Sequence, residues 1–344
     1  MKALIGMSGG VDSSVAVYLC MQEGFSCIGG TMLLHDNAPD AAADAEAVAA
    51  RLGIPFYVFD LSRNFREKVM DDFVRCYEQG LTPNPCVVCN RHLKFGAFLE
   101  ISREMGCDYV VTGHYARIKE ENGRFLLKKA ADEAKDQSYF LYTLTQDQLA
   151  HTRFPLGDLT KAEARAIAEA QGFINAKKRD SQDICFIPDG DYMAFMERHT
   201  GKHYEGGNYL DLSGKVVGRH KGAAGYTLGQ RKGLGLAMGA PVYVCGKDMA
   251  ANTVTVGPNE ALFRKVLRAK DWNWIAVSGL TEPIRVMAKA RSRMVEQPAT
   301  VYPEAGGFAR VEFDEPQRAI TPGQAVVLYD SDTVIGGGTI TEVL

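Results

Sequence analysis

Ser8-Gly9-Gly10-Val11-Asp12-Ser13-Ser14 follows directly on a short apolar run, Ala3 to Met7, and leads directly into an apolar stretch of helical character reaching about Glu23. Strand, glycine turn, hydroxyls and helix in that order restrict the chain to an α/β fold in which a tight turn faces a helix N-terminus. The glycines let the backbone turn sharply, so successive N–H groups can face one anion, and the positive end of the helix adds to them. Ser13 and Ser14 bring hydroxyl donors, and Asp12 can orient Mg²⁺ or the loop itself. The spacing is not a Walker A, because no Gly-Lys-Ser/Thr closes it. A tight turn with Asp12 as N-cap is the bland alternative. The ordered set points instead to a nucleotide-phosphate site.

Downstream, strand and helix patterns alternate. Strands are predicted at Ser26–Leu33, Phe56–Phe59 and Tyr109–Thr112, and helices at Asp40–Leu52, Leu61–Gln79 and Leu93–Met105. Such repetition implies a parallel sheet covered on both faces. A hairpin is predicted about Gly123. The capping box Thr160/Glu163 starts a helix that runs to about Gln171. After about Pro188 glycine becomes frequent, with a hairpin about Ser213-Gly214, and from about Phe263 alternation such as Ala309/Val311/Phe313 reads as β. The expected architecture is a catalytic α/β domain over 1–195, a small Gly-rich α+β connecting domain over 196–258 and a C-terminal β-barrel over 259–344.

Eight cysteines in a chain with neither a signal-peptide pattern nor an apolar stretch of membrane length suggest a cytoplasmic protein with free, catalytic or metal-bound thiols. Cys20, Cys27, Cys76, Cys107 and Cys245 read as small core residues. Cys86 and Cys89 form a CxxC behind the stiff Thr82-Pro83-Asn84-Pro85 approach, placed in a loop between two helices. Cys185 follows Asp180-Ser181-Gln182-Asp183. Three such thiols permit a persulfide relay or a three-thiolate iron–sulfur site. They do not make a closed zinc site. A net charge of −3 neither suggests nor excludes nucleic acid, which requires only a local basic face.

The Ser8–Ser14 loop resembles that of the PP-loop ATP pyrophosphatases, which split ATP between the α- and β-phosphates and adenylate an oxygen of the substrate. Asn84-Pro85-x-x-x-Cys89-Asn90, Thr112-Gly113-His114-Tyr115-Ala116-Arg117, Lys135-Asp136-Gln137-Ser138-Tyr139-Phe140-Leu141, Ile184-Cys185-Phe186-Ile187 and Gly225–Leu234 are similar to the bacterial tRNA-specific 2-thiouridylases within that superfamily. The resemblance implies ATP binding at Gly6, Met7, Ser8, Gly9, Gly10, Val11, Asp12, Ser13, Met32 and Gly113. It implies Cys89 as nucleophile, Cys185 as persulfide carrier, and a target-base loop at Asn84, Pro85 and Cys86. It further implies tRNA contacts at His114, Asp136, Gln137, Ser138, Arg291, Ser292 and Gln324. Substrate tRNA, ATP, Mg²⁺ and a sulfur-donor protein or free sulfide are the implied partners. The best-known members carry Asp where this chain has Cys86, and this chain is short between Met32 and Asp44. The extra thiol favours a [4Fe–4S] cluster on Cys86, Cys89 and Cys185 over a Cys89–Cys185 disulfide cycle. A PP-loop amidotransferase and a noncatalytic RNA-binding iron–sulfur sensor are the competing readings.

RNA phosphates require cations. Between Arg198 and Lys232 seven Lys/Arg oppose Glu205 and Asp211. Were 284–293 one strand, Arg285, Lys289, Arg291 and Arg293 would form a basic stripe on one face. Trp272 and Trp274 share a strand face and are expected in the barrel core.

Overall fold

The computed structural model describes residues 1–35, 39–178 and 184–344. Strands β1 (Lys2–Gly6), β2 (Ser26–Leu33), β3 (Phe56–Asp60), β4 (Tyr109–Thr112) and β7 (Thr152–Arg153) form a sheet in the order β3-β2-β1-β4-β7, and its pairings are parallel. β1 is buried through Ala3, Leu4 and Ile5, and helix α1 (Val11–Gln22) packs Val15, Ala16, Val17 and Cys20 into the same core. β1 lies between β2 and β4, so the chain leaves it at the switch point of the sheet, where a crevice opens beyond the strand ends.

A mixed four-stranded sheet follows, in the order β10-β11-β8-β9, from β8 (Gly207–Leu210), β9 (Val216–His220), β10 (Tyr243–Asp248) and β11 (Thr253–Gly257). The last part is a closed six-stranded antiparallel barrel. Its strands are β12 (Phe263–Trp274), β13 (Ile284–Lys289), β14 (Gln297–Pro303), β15 (Ala309–Arg318), β16 (Ala325–Asp330) and β17 (Thr333–Val343). They run β12-β15-β14-β13-β16-β17, and β17 returns to β12. Closure leaves the barrel no free edge. The α/β, parallel-sheet and barrel expectations therefore hold. Among the described residues no helix is long and apolar enough to cross a membrane.

The hairpin β5 (Arg117–Glu121) and β6 (Arg124–Lys128) turns on Asn122-Gly123, both with positive φ as a tight hairpin requires. It pairs with the barrel through Thr333 and Lys128. Arg117 and Lys128 both meet Asp332, and Lys129 Nζ lies 2.7 Å from Glu296. One apolar cluster joins Val87, Phe95, Ala116 and Tyr139 to Ile275, Val327, Tyr329 and Val334, so the barrel shares a core with the segment that carries the CxxC.

Three expectations need correction. The CxxC does not lie in a loop: Pro85–Cys89 is helical and continues through a π-helical segment, Asn90–Ala97, into a helix at Phe98–Glu104. The cause is legible, since Asn84 caps the helix by accepting a hydrogen bond from Val87 N and Pro85 occupies its first position, where no N–H is missed. The predicted Leu61–Gln79 helix is a run of short pieces, with a π-helical Arg66–Met70 between Ser62–Phe65 and Asp71–Glu78. The basic stripe does not form, because β13 ends at Lys289. Arg285 pairs with Asp314, and Lys289 faces Glu296. Trp272 and Trp274 do share a face. They stack on each other at 4.9 Å and pack, half-buried, against the barrel core.

Candidate active site

Register sets the site. Gly6 pairs with Thr112, so the turn after β1 and the turn after β4 emerge side by side. A Cβ on Gly113 would sit 2.6 Å from the Asp12 carbonyl carbon and 2.7 Å from Ser13 N; only glycine permits this approach. Gly9 takes a φ of 68°. The N-cap of α1 is Gly10, which offers no side-chain acceptor, so the first N–H groups of the helix are left for a ligand. The hydroxyls hold the turn in shape: Ser13 Oγ and Ser14 Oγ both donate to Gly10 O, and Ser8 N donates to Ser13 Oγ.

The same turn is clamped from outside. Asn175, only 3% exposed, donates from Nδ2 to Gly9 O and Ser14 Oγ, and Lys178 Nζ reaches Gly9 O at 3.3 Å. Asp12 accepts from Lys161 Nζ at 2.7 and 2.8 Å and from Tyr115 OH at 2.9 Å. Of the two roles expected for Asp12, bracing the loop is the one its bonds describe; its carboxylate is already engaged. Sequence reading missed Tyr115, Lys161, Asn175 and Lys178 as loop braces. Their relevance depends on how the Lys161–Ala170 helix packs on α1, a long-range contact with no local signature.

A cavity of about 360 Å³ opens above the turn, lined by Gly6, Met7, Ser8, Asp12 and Ser13, by Thr31 and Met32 from β2, by Gly113 and His114, and by Lys94, Gln137 and Cys185. Phosphate turn and thiol thus share one crevice. His114 is buried, its Nδ1 lies 2.7 Å from Thr112 Oγ1, and burial holds its pKa well below the ordinary histidine value, so it is neutral at pH 7.

All three thiols are free. Cys89 is 8% exposed, whereas Cys86 and Cys185 each keep an exposed flank. The protein around Cys185 pushes its thiol up to about 11, and neighbouring Cys89 and Cys86 push the same way while Lys94 opposes. Cys86 and Cys89 are also raised by the chain around them, again with Lys94 opposing. Cys185 therefore feels the charge of both other thiols, and Cys89 that of Cys86. The residues Asp180 to Asp183 before Cys185 lie outside the described residues. Among the described residues no group of three or more His, Cys, Asp or Glu side chains is arranged to hold a metal ion. The cluster expected on Cys86, Cys89 and Cys185 is therefore not shown.

The residues expected to meet RNA fall into two groups. Asn84 lines a separate cavity of about 740 Å³ with Pro83, Val87, Arg91, His92 and Lys270. Pro85 is buried, and Ser292 sits half-buried in the turn after β13. The others are tied into the fold. Asp136 accepts from Ala130 N, Ser138 N and Ser138 Oγ. Ser138, fully buried, lies 3.4 Å from Tyr329 OH. Gln137 and Tyr115 exchange hydrogen bonds, Tyr115 N to Gln137 Oε1 and Gln137 N to Tyr115 O. Arg291 donates to Leu228 O and Thr321, and Gln324 Nε2 donates to Thr82 O and Pro83 O. Barrel residues thus hold the approach to the CxxC. Across 198–232, His199 pairs with Asp71, Lys202 with Glu78 and His203 with Glu197, so part of that charge is spent within the protein.

Residues 1–189 match the family described as tRNA methyl transferase HUP domain, 193–258 the tRNA methyl transferase PRC-barrel domain and 264–340 the aminomethyltransferase beta-barrel domain. The chain is 48% identical to a tRNA-specific 2-thiouridylase MnmA of Clostridioides difficile, covering 100% of this chain and 99% of that one. It is 49% identical to that of Moorella thermoacetica, covering 99% of each. The chain belongs to the tRNA-specific 2-thiouridylase family. Among solved structures, a U34-tRNA thiolase NcsA from Methanococcus maripaludis with its [4Fe-4S] cluster is 20% identical, with a TM-score of 0.36 over 58% of this chain and 68% of that one. That likeness is too slight to bear on mechanism. The 2-thiouridylase relatives match over nearly the whole chain.

Proposed function

We propose that this chain is an ATP-dependent tRNA sulfurtransferase that replaces O2 of a wobble uridine by sulfur. The observation that carries this reading is the single crevice lined by Ser8 and Ser13 on one side and Cys185 on the other. A carbonyl oxygen is a poor leaving group, so activation must precede sulfur attack. Uracil O2 attacks the α-phosphorus of ATP, the bond to pyrophosphate breaks and the N3 proton is lost to solvent. Pyrophosphate is held by the turn and the open N-terminus of α1. Mg²⁺ enters on the nucleotide phosphates as part of the substrate, since Asp12 is engaged by Lys161 and Tyr115.

Sulfur follows as a relay. A donor supplies sulfane sulfur to Cys185, giving Cys185–S–S⁻. The terminal sulfur attacks C2 and AMP leaves. The Cys89 thiolate then attacks Cys185 Sγ, which frees the thiocarbonyl and leaves a Cys89–Cys185 disulfide for an external dithiol to reduce. Two free thiols, Cys185 lining the crevice and Cys89 whose charge it feels, support this route. No step is assigned to a cluster, since no metal-holding group is arranged among the described residues.

The test is incubation with ATP, unmodified tRNA and a persulfide or sulfide source, followed by nucleoside analysis. 2-Thiouridine and AMP in equal amounts are expected. AMP formed only with ammonia or glutamine would indicate an amidotransferase instead, and tight RNA binding without turnover would indicate a sensor. Stoichiometric iron and acid-labile sulfide on anaerobically purified protein would replace the relay by the cluster route.

A further inference from the structure

Lys94 is half-buried in the π-helical turn that follows Cys89, and it lines the crevice. Among the described residues it is the sole Lys or Arg of that lining. The other cations near the turn are neutralised in place: Lys161 by Asp12 and Lys178 by Asp44. Lys94 makes no hydrogen bond or ion pair among the described residues, and its positive field reaches His114 as well as Cys86, Cys89 and Cys185. An ammonium that lines a crevice without a counter-ion is free to meet an incoming anion. The helical register that aims it is unusual as well. A Cβ on Gly96 would lie 3.1 Å from Arg91 O, and π-helical turns of this kind recur at functional sites.

The crevice offers donors at two places. The turn and the α1 N-terminus suit a pyrophosphate group, as argued above. Lys94 belongs to a different element and lines the crevice together with His114, Gln137 and Cys185. We propose that Lys94 is a catalytic cation that binds the α-phosphoryl group of the nucleotide, holding it while the bond to pyrophosphate breaks and again as AMP departs. The proposal rests on the ATP-dependent reading for its place in the reaction. Its physical content, one phosphate bound by one ammonium, does not depend on tRNA or sulfur.

The test therefore uses the full chain without RNA and compares calorimetric affinities for AMP, adenosine and inorganic pyrophosphate in the unaltered protein, Lys94→Met and Lys94→Arg. The expected result is an AMP affinity about 10- to 100-fold lower in Lys94→Met, the range for one charge-assisted hydrogen bond. Adenosine and pyrophosphate affinities should stay within about twofold, and Lys94→Arg should recover most of the loss. A misfolded variant would lose all three ligands together, which the adenosine arm detects. Unchanged AMP affinity, an equal loss for all ligands, a loss confined to pyrophosphate, or no preference for AMP over adenosine in the unaltered protein would each overturn the assignment. Failure of 2-thiouridine formation with this binding pattern intact would count against the proposed function and leave Lys94 in place.

Discussion

The two poles of the crevice are built differently. At the phosphate turn nearly every polar group is committed before a ligand arrives: the hydroxyls of Ser13 and Ser14 to Gly10, Asp12 to Lys161 and Tyr115, the Gly9 carbonyl to Asn175 and Lys178. What remains open is backbone, the N–H groups of α1. At the thiol pole the sulfurs are free, and among the described residues the ammonium of Lys94 has no counter-ion. The contrast fits the chemistry proposed for each. Pyrophosphate leaves with the same charge every cycle, and a rigid cradle with no reorganisation stabilises it best. Sulfur has to change partners in each turnover, so its carriers cannot be locked into fixed bonds.

If that division is right, the largest effect comes from the thiol pole and leaves the other untouched. Cys89→Ser and Cys185→Ser should each abolish thiolation, by about a thousandfold or more if each sulfur performs its own covalent step. ATP affinity should stay within about twofold. Full turnover in either variant would remove the relay, and lost ATP binding would mean the poles are not separate.

Next in size is Gly113→Ala, which attacks the cradle alone. The added methyl would lie 2.6 Å from Asp12 C and 2.7 Å from Ser13 N, both backbone atoms that cannot swing aside. The turn must shift, and ATP affinity should fall at least about tenfold, since donors displaced from a charged group forfeit about 1.5–3 kcal/mol. Alkylation rates of Cys89 and Cys185 should be unaffected. Preserved ATP affinity would show that the turn adjusts and is not preset.

Lys161→Met tests the brace rather than the cradle. It leaves Asp12 with Tyr115 as its remaining partner in a setting where Lys161 is 12% and Asp12 31% exposed. Breaking a fully buried pair costs about 3–5 kcal/mol. Partial exposure reduces this to about 1–2 kcal/mol here, read as a lower midpoint of denaturation. No change would mean that Tyr115 and the serine bonds suffice.

The two poles also differed in how much of them could be read in advance. The turn is written in consecutive residues, Ser8 to Ser14, and a local motif needs only the strand before it and the helix after it. The barrel was similarly open to reading, because period-2 alternation at Ala309, Val311 and Phe313 survives as an inward-facing row. What escaped depends on packing between distant segments. Asn175 matters because it reaches Gly9 across more than 160 residues of chain, and Arg291 because its guanidinium caps Leu228 in another domain. The Gly225–Leu234 motif was visible as a motif but silent about its work. Thr227 lies 3.3 Å from Tyr77 OH and Leu228 accepts from Arg291, so it latches the central sheet to both neighbours. The CxxC helix is a different case. Asn84 and Pro85 are a legible helix start, but Pro83 and Pro85 equally suit a stiff, non-helical approach.

The smallest effect concerns a polar route from barrel to turn. Tyr329 OH meets Ser138, Ser138 meets Asp136, and the adjacent Gln137 exchanges hydrogen bonds with Tyr115, which holds Asp12. Tyr329→Phe removes the hydroxyl and keeps the ring against Lys129, whose ammonium sits 4.7 Å from its centroid. The contact is long at 3.4 Å, and Ser138 keeps Asp136 as an acceptor, so the loss of stability should be about 1 kcal/mol or less. ATP affinity without RNA should not move by more than about twofold, because Asn175 and Lys178 hold Gly9 from the other side. A tenfold fall would show that the turn owes its shape to the barrel. The cradle would then be assembled by the whole chain, and the contrast between a preset pole and an open one would have to be given up.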